Sequence, residues 1–306
     1  MSHIRFLSRK ATAAIATIGV IGIIAARASY GMEALAESPK PRETMITVRP
    51  AMGLGARMGF FTLRLESAQQ INDNTKRLRF QLPDPNSNAG LCLTSFILTI
   101  HKPANAWLPV IRPYTPINNF NEPGHIELLV KKYPDGRASS HLHSLKPGDT
   151  LTVRPMTSFK WKPNEFESIN LIAGGAGITP IFQLIQGILN NPADRTKIKL
   201  IFGVNTDKDL VLKDELDAFE RAFPDHFKVV YAISNPADGS PFYKGKVTKE
   251  LLQKELVGLK DGKAIKIFIC GPPPMEAFIL GNKGWFSGQK GALEELGYSS
   301  GQVFKF

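Results

Sequence analysis

The pattern of apolar residues changes near Ser158, and this change limits the chain to folds with two unlike halves. Before it, short segments such as FFTLRLESA and HIELLVKKY alternate with turn clusters such as LPDPNSNAG, which predicts a β-barrel or sandwich over residues 60–158. After it, apolar segments such as INLIAGG and KIKLIFGVN alternate with amphipathic ones. That alternation predicts a doubly wound parallel sheet with helices over residues 165–306.

The first 36 residues differ in kind from the rest. Arg5, Arg9 and Lys10 precede any acidic residue, and an uncharged run follows from Ala11 to Ala26. This run is close to the lower limit of a membrane-spanning helix, which needs roughly 17–25 apolar residues. A secretory signal, a mitochondrial presequence and an N-terminal anchor all remain open. We expect residues 1–36 to form a targeting and transmembrane segment with an anchor helix, and residues 37–59 to form a linker.

Charge and cysteine content exclude several function classes. The formal net charge of +11 favours an acidic partner, whether nucleic acid, anionic membrane or protein. The sequence has no arginine-rich run and no zinc-finger spacing, so we predict no nucleic-acid binding. Two cysteines, Cys92 and Cys270, are too few for a cysteine-ligated iron–sulfur cluster. His141 and His143 have no cysteine or carboxylate cluster beside them, so no metal site is predicted either.

A glycine-rich loop, LIAGGAGITP, follows the first strand of the second half. Gly174, Gly175 and Gly177 permit a tight turn and close approach of a ligand, and Thr179-Pro180 opens a helix. Free N–H groups at a helix start favour a phosphate. Tight packing of strand against helix is the alternative interpretation of the same glycines.

The segment ICGPPPM ends the last predicted strand with Cys270, Gly271 and three prolines. Because prolines fix φ and lack a backbone donor, we expect them to form a stiff turn outside any sheet or helix interior. Ligands of open parallel sheets bind at the carboxyl ends of the strands. The glycine loop and this turn are therefore predicted to face each other and to hold a nicotinamide nucleotide.

Two segments of the first half carry polar groups suited to phosphates and to an aromatic cofactor. In IRPYTPIN, Arg112 and Tyr114 point to the same side of an extended strand, so a guanidinium and a phenol ring face one ligand. In DGRASSHL, Gly136 and two serines precede a helical turn that suits a second phosphate. A surface arginine with a core tyrosine, and a helix cap without a ligand, are the alternatives.

The motifs RPYT, GRAS, GGAGITP and CGPPPM occur in this order. In this arrangement the chain resembles the ferredoxin–NADP reductase superfamily, and most closely the NADH–cytochrome b5 reductases of the fungal mitochondrial type. The resemblance covers nearly all of residues 60–306. It implies that the antiparallel barrel binds FAD and that the α/β domain binds NADH.

The resemblance also assigns individual residues to the two cofactors. For FAD it implies the set Arg112, Pro113, Tyr114, Thr115, Val130, Lys131, Gly136, Ala138 and Ser139, with Thr179 reaching the flavin from the second domain. For the nicotinamide nucleotide it implies Gly174, Gly175, Gly177, Cys270, Gly271, Pro272 and Met275. Thr115 and Lys131 are the two residues expected to influence catalysis directly.

The segment FGVNTDKDLVL bears on the choice between NADH and NADPH. Asn205 and Thr206 stand where NADPH-using relatives usually carry a residue for the extra phosphate, and they supply no cation. Asp209 falls at the position that the resemblance assigns to the adenosine ribose, where a carboxylate repels a 2′-phosphate. NADH is therefore expected. Asp209 is also a candidate cap for a helix predicted to begin near Leu210.

The resemblance implies that FAD accepts a hydride from NADH and passes single electrons to cytochrome b5 or a similar acidic haem protein. Reduction of a quinone or ferric chelate is an alternative, as is a catalytically inactive, membrane-anchored interaction protein. We expect a monomer anchored in the mitochondrial outer membrane. A cleaved intermembrane-space form and an endoplasmic-reticulum anchor remain alternatives.

Overall fold

A computed structural model describes residues 59–104, 106–256, 265–282 and 288–306. These residues belong to one compact unit. The predicted N-terminal segment, residues 1–36, and nearly all of the predicted linker lie outside the described ranges. Within those ranges, none of the helices is both long and apolar enough to cross a membrane.

The first half forms a six-stranded antiparallel sheet, as predicted. Its strands are β1 (Phe61–Asn72), β2 (Thr75–Gln81), β3 (Ser95–His101), β4 (Val110–Tyr114), β5 (His125–Lys131) and β6 (Thr150–Thr157). They lie in the order β4-β3-β6-β1-β2-β5. Alternate residues such as Leu63, Leu65 and Phe80 are buried and form the core of this sheet.

The two edge strands of this sheet meet just after β4. Pro116 forms an isolated bridge with Leu128 of β5, and Ile117 N donates a 2.8 Å hydrogen bond to Glu127 O. A short helix, α1 (Arg137–Ser144), packs beside these edges and buries Leu142 in the barrel core. The sheet is therefore closed into a barrel at the place where RPYT ends.

The second half forms a six-stranded parallel sheet with helices on both faces, which confirms the predicted doubly wound fold. Its strands are β7 (Ser168–Gly174), β8 (Lys197–Val204), β9 (Phe227–Ile233), β10 (Tyr243–Lys244), β11 (Ile265–Cys270) and β14 (Val303–Lys305). Its helices are α2 (Ile178–Leu189), α3 (Lys213–Ala222), α4 (Lys249–Glu255), α5 (Pro273–Leu280) and α6 (Ala292–Glu295), and a small hairpin pairs β12 (Gly281–Asn282) with β13 (Gln289–Lys290). The sheet order is β10-β9-β8-β7-β11-β14. Separate apolar clusters pack α2 and α3 on one face and α4, α5 and α6 on the other.

One helix begins later than predicted. The expected start near Leu210 is wrong, since α3 begins at Lys213. Leu212 has a φ of 58°, a left-handed conformation that an α-helix cannot contain. Asp207–Asp209 instead form a single 3₁₀ turn, which Thr206 and Asp209 close as a capping box.

The prolines of CGPPPM open a helix, so the expectation of a rigid turn outside helices is only partly right. Pro272 is the N-cap of α5, and Pro273 and Pro274 are its first two residues. The first N–H groups of a helix have no intrahelical acceptor, so prolines lose nothing there.

Polar bonds from α2 hold the barrel against the parallel sheet. Gln183, only 2% exposed, donates from Nε2 to Pro116 O at 2.7 Å and to Asn118 O at 2.6 Å. Gln186 Nε2 donates to Ile117 O at 3.3 Å. Ile117 itself packs into the apolar cluster of α2 and α3. One glutamine side chain thus fixes the loop that follows RPYT.

We predict that Gln183→Met lowers the free energy of unfolding by about 2–4 kcal/mol, because two buried carbonyl oxygens lose their donor. Unfolding in urea, followed by circular dichroism, measures this change. Gln186→Met is the matched control and should cost less, since its bond is longer and single. Equal losses in the two variants would contradict the role assigned to Gln183.

A candidate cofactor cleft between the two sheets

The RPYT residues lie at the edge of the barrel. β4 pairs only with β3, and Arg112 and Tyr114 share one face of it, opposite Thr99 and Ile97. Arg112 is exposed and donates from Nη1 to Ile111 O at 2.8 Å. Pro113 is exposed on the other face, and Thr115 is buried just beyond the strand. A guanidinium has five donors, so Arg112 retains donors for a ligand at this edge.

The phenol of Tyr114 is held neutral. Burial, and next the neighbouring Tyr133 phenol, raise its pKa to about 12, while Arg112 acts in the opposite direction. At neutral pH Tyr114 therefore offers an O–H donor and a ring face, and no charge.

The GRAS residues follow the opposite edge strand, β5. Gly136 is the N-cap of α1 and has no side-chain cap bond. Ser139 Oγ donates to Gly136 O at 3.0 Å and accepts from Tyr133 N at 3.2 Å, which tightens the turn before the helix. Ala138 and Ser139 are buried. The start of α1 thus presents backbone N–H groups without a capping side chain, as an anion requires.

Val130 is predicted to line the flavin site, and the structure leaves its backbone as the part that can do so. Its side chain is fully buried in the barrel core, and its carbonyl oxygen accepts a 2.8 Å hydrogen bond from His143 Nε2. The Val130 side chain therefore supports β5 from the barrel core, and only its backbone faces the flavin site.

Tyr133 is a residue that the sequence analysis missed. It is 49% exposed, large and aromatic, and lies between Lys131 and Gly136, close enough to Tyr114 to affect its pKa. Two phenol groups thus lie near each other, one at the end of β4 and one just before α1. A tyrosine three residues before a glycine that starts a helix was the signal in the sequence.

The glycine loop and the cysteine–glycine turn are in direct contact, as predicted. β7 and β11 are neighbours, with Ala173 opposite Cys270. A Cβ added to Gly177 would lie 2.2 Å from Cys270 O, and one added to Gly174 would lie 2.5 Å from Met275 Sδ. Gly174 and Gly177 are therefore required by packing of the two turns.

Gly175 plays a different part. It has a φ of 51°, and a Cβ added to it would meet no atom within 4 Å. Its surroundings are open and it lines the cleft, so a ligand there has room to approach its backbone. Tight packing therefore accounts for Gly174 and Gly177 and does not account for Gly175.

Cys270 and Gly271 are fixed by Glu276, a second residue that the sequence analysis missed. Glu276 Oε1 accepts from Gly271 N at 3.3 Å, and its Oε2 pairs with Lys305 Nζ at 2.6 Å. Burial, followed by the charge of Glu276, raises the pKa of the Cys270 thiol to about 12. The thiol is therefore protonated at neutral pH and is not a nucleophile.

The two domains meet around Lys131 and Asp209. A narrow cleft there is lined by Thr75, Leu129, Lys131, Gly175, Ala176, Thr179, Asp209 and Val211. Lys131 Nζ lies 2.7 Å from Asp209 Oδ1. Thr179, at the start of α2, is nearly buried beside it and donates from Oγ1 to Ala176 O at 3.3 Å. Lys131, a barrel residue predicted to contact the flavin, thus lies beside Gly175 and Asp209, which are predicted to contact the nucleotide.

Both domains match known families. Residues 62–161 match the oxidoreductase FAD-binding domain, and residues 171–280 match the oxidoreductase NAD-binding domain. A protein named NADH-cytochrome b5 reductase 2 from Phaeosphaeria nodorum is 43% identical over 82% of this chain and 76% of its own length. Its namesake from Chaetomium globosum is 46% identical over 82% of this chain and 73% of its own length.

The chain belongs to the NADH-cytochrome b5 reductase family. Among solved structures, the cytochrome b5 reductase domain of Ulva prolifera nitrate reductase is similar, with a TM-score of 0.70 and 28% identity over 81% of this chain and 97% of that one. The reductase fold therefore extends across both sheets described above.

The residues of this reductase fit the two cofactors. An exposed arginine, two tyrosines and an uncapped helix start suit a flavin with its pyrophosphate. The open backbone at Gly175 suits a nucleotide at the carboxyl ends of β7 and β11. Arg112, Tyr114 and the start of α1 would hold FAD, and the glycine loop with the Cys270 turn would hold NADH.

We predict that Gly177→Ala destabilises the reductase more than Gly175→Ala does. A methyl group at position 177 displaces the end of β11, at a cost of about 3 kcal/mol. At position 175 the penalty is that of a left-handed alanine, about 1–2 kcal/mol. Thermal unfolding of both variants measures the order. A more severe effect at position 175 would refute the packing role assigned to Gly177.

Proposed function

We propose that the chain is an NADH-dependent FAD reductase that passes electrons one at a time to cytochrome b5. The observation that carries this proposal is the cleft in which Lys131 of the barrel meets the glycine loop of the α/β domain. Relatives that are 43% and 46% identical are named for the same reaction. Bound FAD supplies hydride acceptance from NADH and release of single electrons.

The barrel residues bind and orient the flavin. Arg112 supplies a guanidinium at the exposed edge of β4, where it pairs with pyrophosphate oxygens. Tyr114 and Tyr133 supply ring faces and neutral O–H donors. Thr115 is buried next to the loop that Gln183 holds, so its backbone is fixed relative to α2. The loop beside the flavin site is thus held in one position by Gln183, as orientation of a cofactor requires.

The α/β residues bring the nicotinamide nucleotide to that flavin. Gly175 lets the backbone approach the ligand, and Thr179 is held at the domain boundary by its bond to Ala176. Glu276 fixes Gly271 beside them. Hydride transfer needs close and constant positioning of donor and acceptor, and these groups provide it without a general acid or base.

The surface charge supports an acidic electron acceptor. A formal charge of +11 raises the encounter rate with an acidic haem protein, and salt screens this attraction. No feature of the described residues favours a quinone or a ferric chelate over such a protein. Cytochrome b5 is therefore the acceptor we propose.

The test uses the full chain, purified in detergent and held without oxygen. The visible spectrum should show a flavin that NADH bleaches far faster than NADPH, and cytochrome b5 added afterwards should be reduced. A colourless protein that cannot be reconstituted with FAD would overturn the enzyme assignment. Bleaching without haem reduction would point to the other acceptors.

We predict that Arg112→Met lowers the affinity for FAD by at least about tenfold, because a charged hydrogen bond to the pyrophosphate is lost. The ratio of flavin absorbance to protein absorbance after dialysis measures it. Arg154→Met is the control, since Arg154 lies on β6, two strands from β4, and on the face of the sheet opposite to Arg112. Equal flavin loss in both variants would contradict the prediction.

We also propose that the reductase is a monomer, anchored in the mitochondrial outer membrane by its N-terminal segment. The acid-free start with Arg5, Arg9 and Lys10, and the apolar run after it, support this location. Neutralising the three basic residues should move a fluorescently tagged full chain away from mitochondria. Unchanged localisation of that variant would refute the targeting argument.

A further inference from the structure

One face of the barrel sheet is apolar although it points away from the core. In β3, Ile97 and Thr99 are buried on the inner side. Phe96, Leu98 and Ile100 alternate with them, so these three side chains lie on the outer side, where they are partly exposed. None of the three apolar clusters among the described residues includes them. The barrel therefore presents apolar area that its own cores do not use.

The neighbouring strands extend this apolar surface. Ile111 and Pro113 of β4 are exposed and pair with outward residues of β3. Met156 of β6 is also exposed and pairs with Phe96. Because directly paired residues share one face of a sheet, these side chains form a single surface. We call it the outer face, and it consists of Phe96, Leu98, Ile100, Ile111, Pro113 and Met156.

The hairpin between β3 and β4 is strongly exposed as well. Among the large apolar residues of the described chain, Trp107 at 90% and Leu108 at 67% are the most exposed. Ala106 N donates to Pro103 O at 3.0 Å, so a tight turn precedes them. Leu108 lies three residues before Ile111, so the hairpin adjoins the outer face. Tryptophan is enriched where membranes meet water, because its ring is apolar and its N–H is polar.

The charges around this surface have one sign. Residues 85–121 and 150–164, which include β3, β4, β6 and the hairpin, contain no aspartate or glutamate. Arg154 lies on the outer side of β6, opposite Leu98. Lysine and arginine are attracted to membranes that contain anionic lipids. The basic residues of the two ranges are Lys102, Arg112, Arg154, Lys160 and Lys162.

The chain enters the barrel beside the outer face. Phe60, the residue before β1, is 64% exposed, and the guanidinium carbon of Arg154 lies 5.7 Å from the centre of its ring. Residues 1–58 precede the described chain and include the apolar run of residues 11–26, for which we propose a membrane anchor. An anchored chain therefore reaches the barrel at the edge of the outer face.

Two other occupants fit this surface less well. An acidic haem protein must approach the flavin, but Arg112 and Tyr114, which would hold the flavin, lie on the opposite face of β4. A second copy of the chain carries the same basic residues, so two outer faces would repel each other.

We propose that the outer face and the hairpin bind the surface of an anionic phospholipid bilayer, with Trp107 and Leu108 at the level of the headgroups. This inference rests on the proposed membrane anchor and goes beyond it, because the barrel itself contacts lipid and takes one orientation. The face of β4 that carries Arg112 and Tyr114 then points away from the lipid. The flavin side thus stays open to an acceptor.

Quenching of tryptophan fluorescence by brominated lipid tests the proposal on the full-length, FAD-loaded protein. The protein is reconstituted in vesicles of phosphatidylcholine and phosphatidylserine, with and without bromine on the acyl chains. Bromine should lower the emission of the wild type, and Trp107→Phe should abolish this loss. Since Trp107 is exposed, its replacement should leave folding unchanged. Equal quenching in the two proteins would overturn the proposal.

A relocated tryptophan is the matched control. Tyr243 is exposed on β10, at the edge of the parallel sheet. Tyr243→Trp in the Trp107→Phe background should add emission that brominated lipid does not quench. Quenching at position 243 as strong as that at position 107 would mean that lipid contacts the protein without a preferred face, and the proposal would fail.

Charge gives a second readout in the same vesicles. Lys102→Gln should lower the ratio of lipid-bound to free barrel about fivefold, which corresponds to about 1 kcal/mol for one basic residue near an anionic surface. Added salt should lower this ratio too, because it screens the attraction. Lys228→Gln removes an exposed lysine from β9 of the other domain and should leave the ratio unchanged. Equal effects of the two lysine variants would contradict the role given to the outer face.

Separate measurements distinguish the remaining outcomes. Flotation with the vesicles reports on the anchor, and a chain that does not float would refute the anchor and the proposal together. A floating chain whose Trp107 is shielded in a dimer, or only after cytochrome b5 is added, would assign the outer face to a protein and overturn the proposal. Bleaching of the flavin by NADH reports on the enzyme. Its failure would refute the proposed reductase function and leave the lipid result standing.

Discussion

The close approach of the Gly174–Gly177 loop to the Cys270–Gly271 turn determines where everything else in the site lies. Because a side chain at position 177 would collide with the Cys270 carbonyl, the two turns pack at backbone distance. That contact brings the carboxyl ends of β7 and β11 together and leaves Gly175 as the open position. Glu276 accepts a hydrogen bond from Gly271 N in this turn. It also pairs with Lys305, which links the turn to β14. The close packing at Gly177 thus fixes how the two turns meet and leaves open space beside Gly175.

The barrel is attached to this arrangement by few but well-placed polar bonds. Gln183 satisfies two backbone carbonyls next to RPYT, and Lys131 pairs with Asp209 across the boundary. Apolar residues of the barrel, Ile117 and Leu129, extend the core of the α/β domain. Burial supplies most of the attraction, since apolar area is non-directional, while the polar bonds select one orientation. Hydride transfer between the two bound cofactors would depend on that orientation.

The two-domain fold could be predicted because strand and helix periodicities differ and change at one place in the chain. The glycine and proline motifs also predicted which strand ends meet. Three features could not be obtained this way. The left-handed Leu212 delays α3, the prolines start α5, and Asp209 pairs with a lysine 78 residues earlier. The first two depend on which backbone groups already lack partners, and the third depends on docking of two domains, which no local pattern encodes.

Lys131 and Asp209 are the charged residues among those that line the cleft, so its charge depends on their ion pair. The pKa values of Tyr114 and Cys270 are raised to about 12, and that of Asp209 is lowered, so none of these three titrates near neutral pH.

Two histidines at α1 and β3 make the stability of the protein sensitive to mild acid. His141 on α1 stacks on His101 of β3 with ring centroids 3.9 Å apart. Burial lowers both pKa values, and for His141 the neighbouring His101 lowers it further. The unfolded chain therefore takes up protons more readily, so stability present above the ordinary histidine pKa declines as the pH falls. Because α1 begins at the GRAS turn, this loss of stability falls on the helix whose start would hold the flavin phosphate.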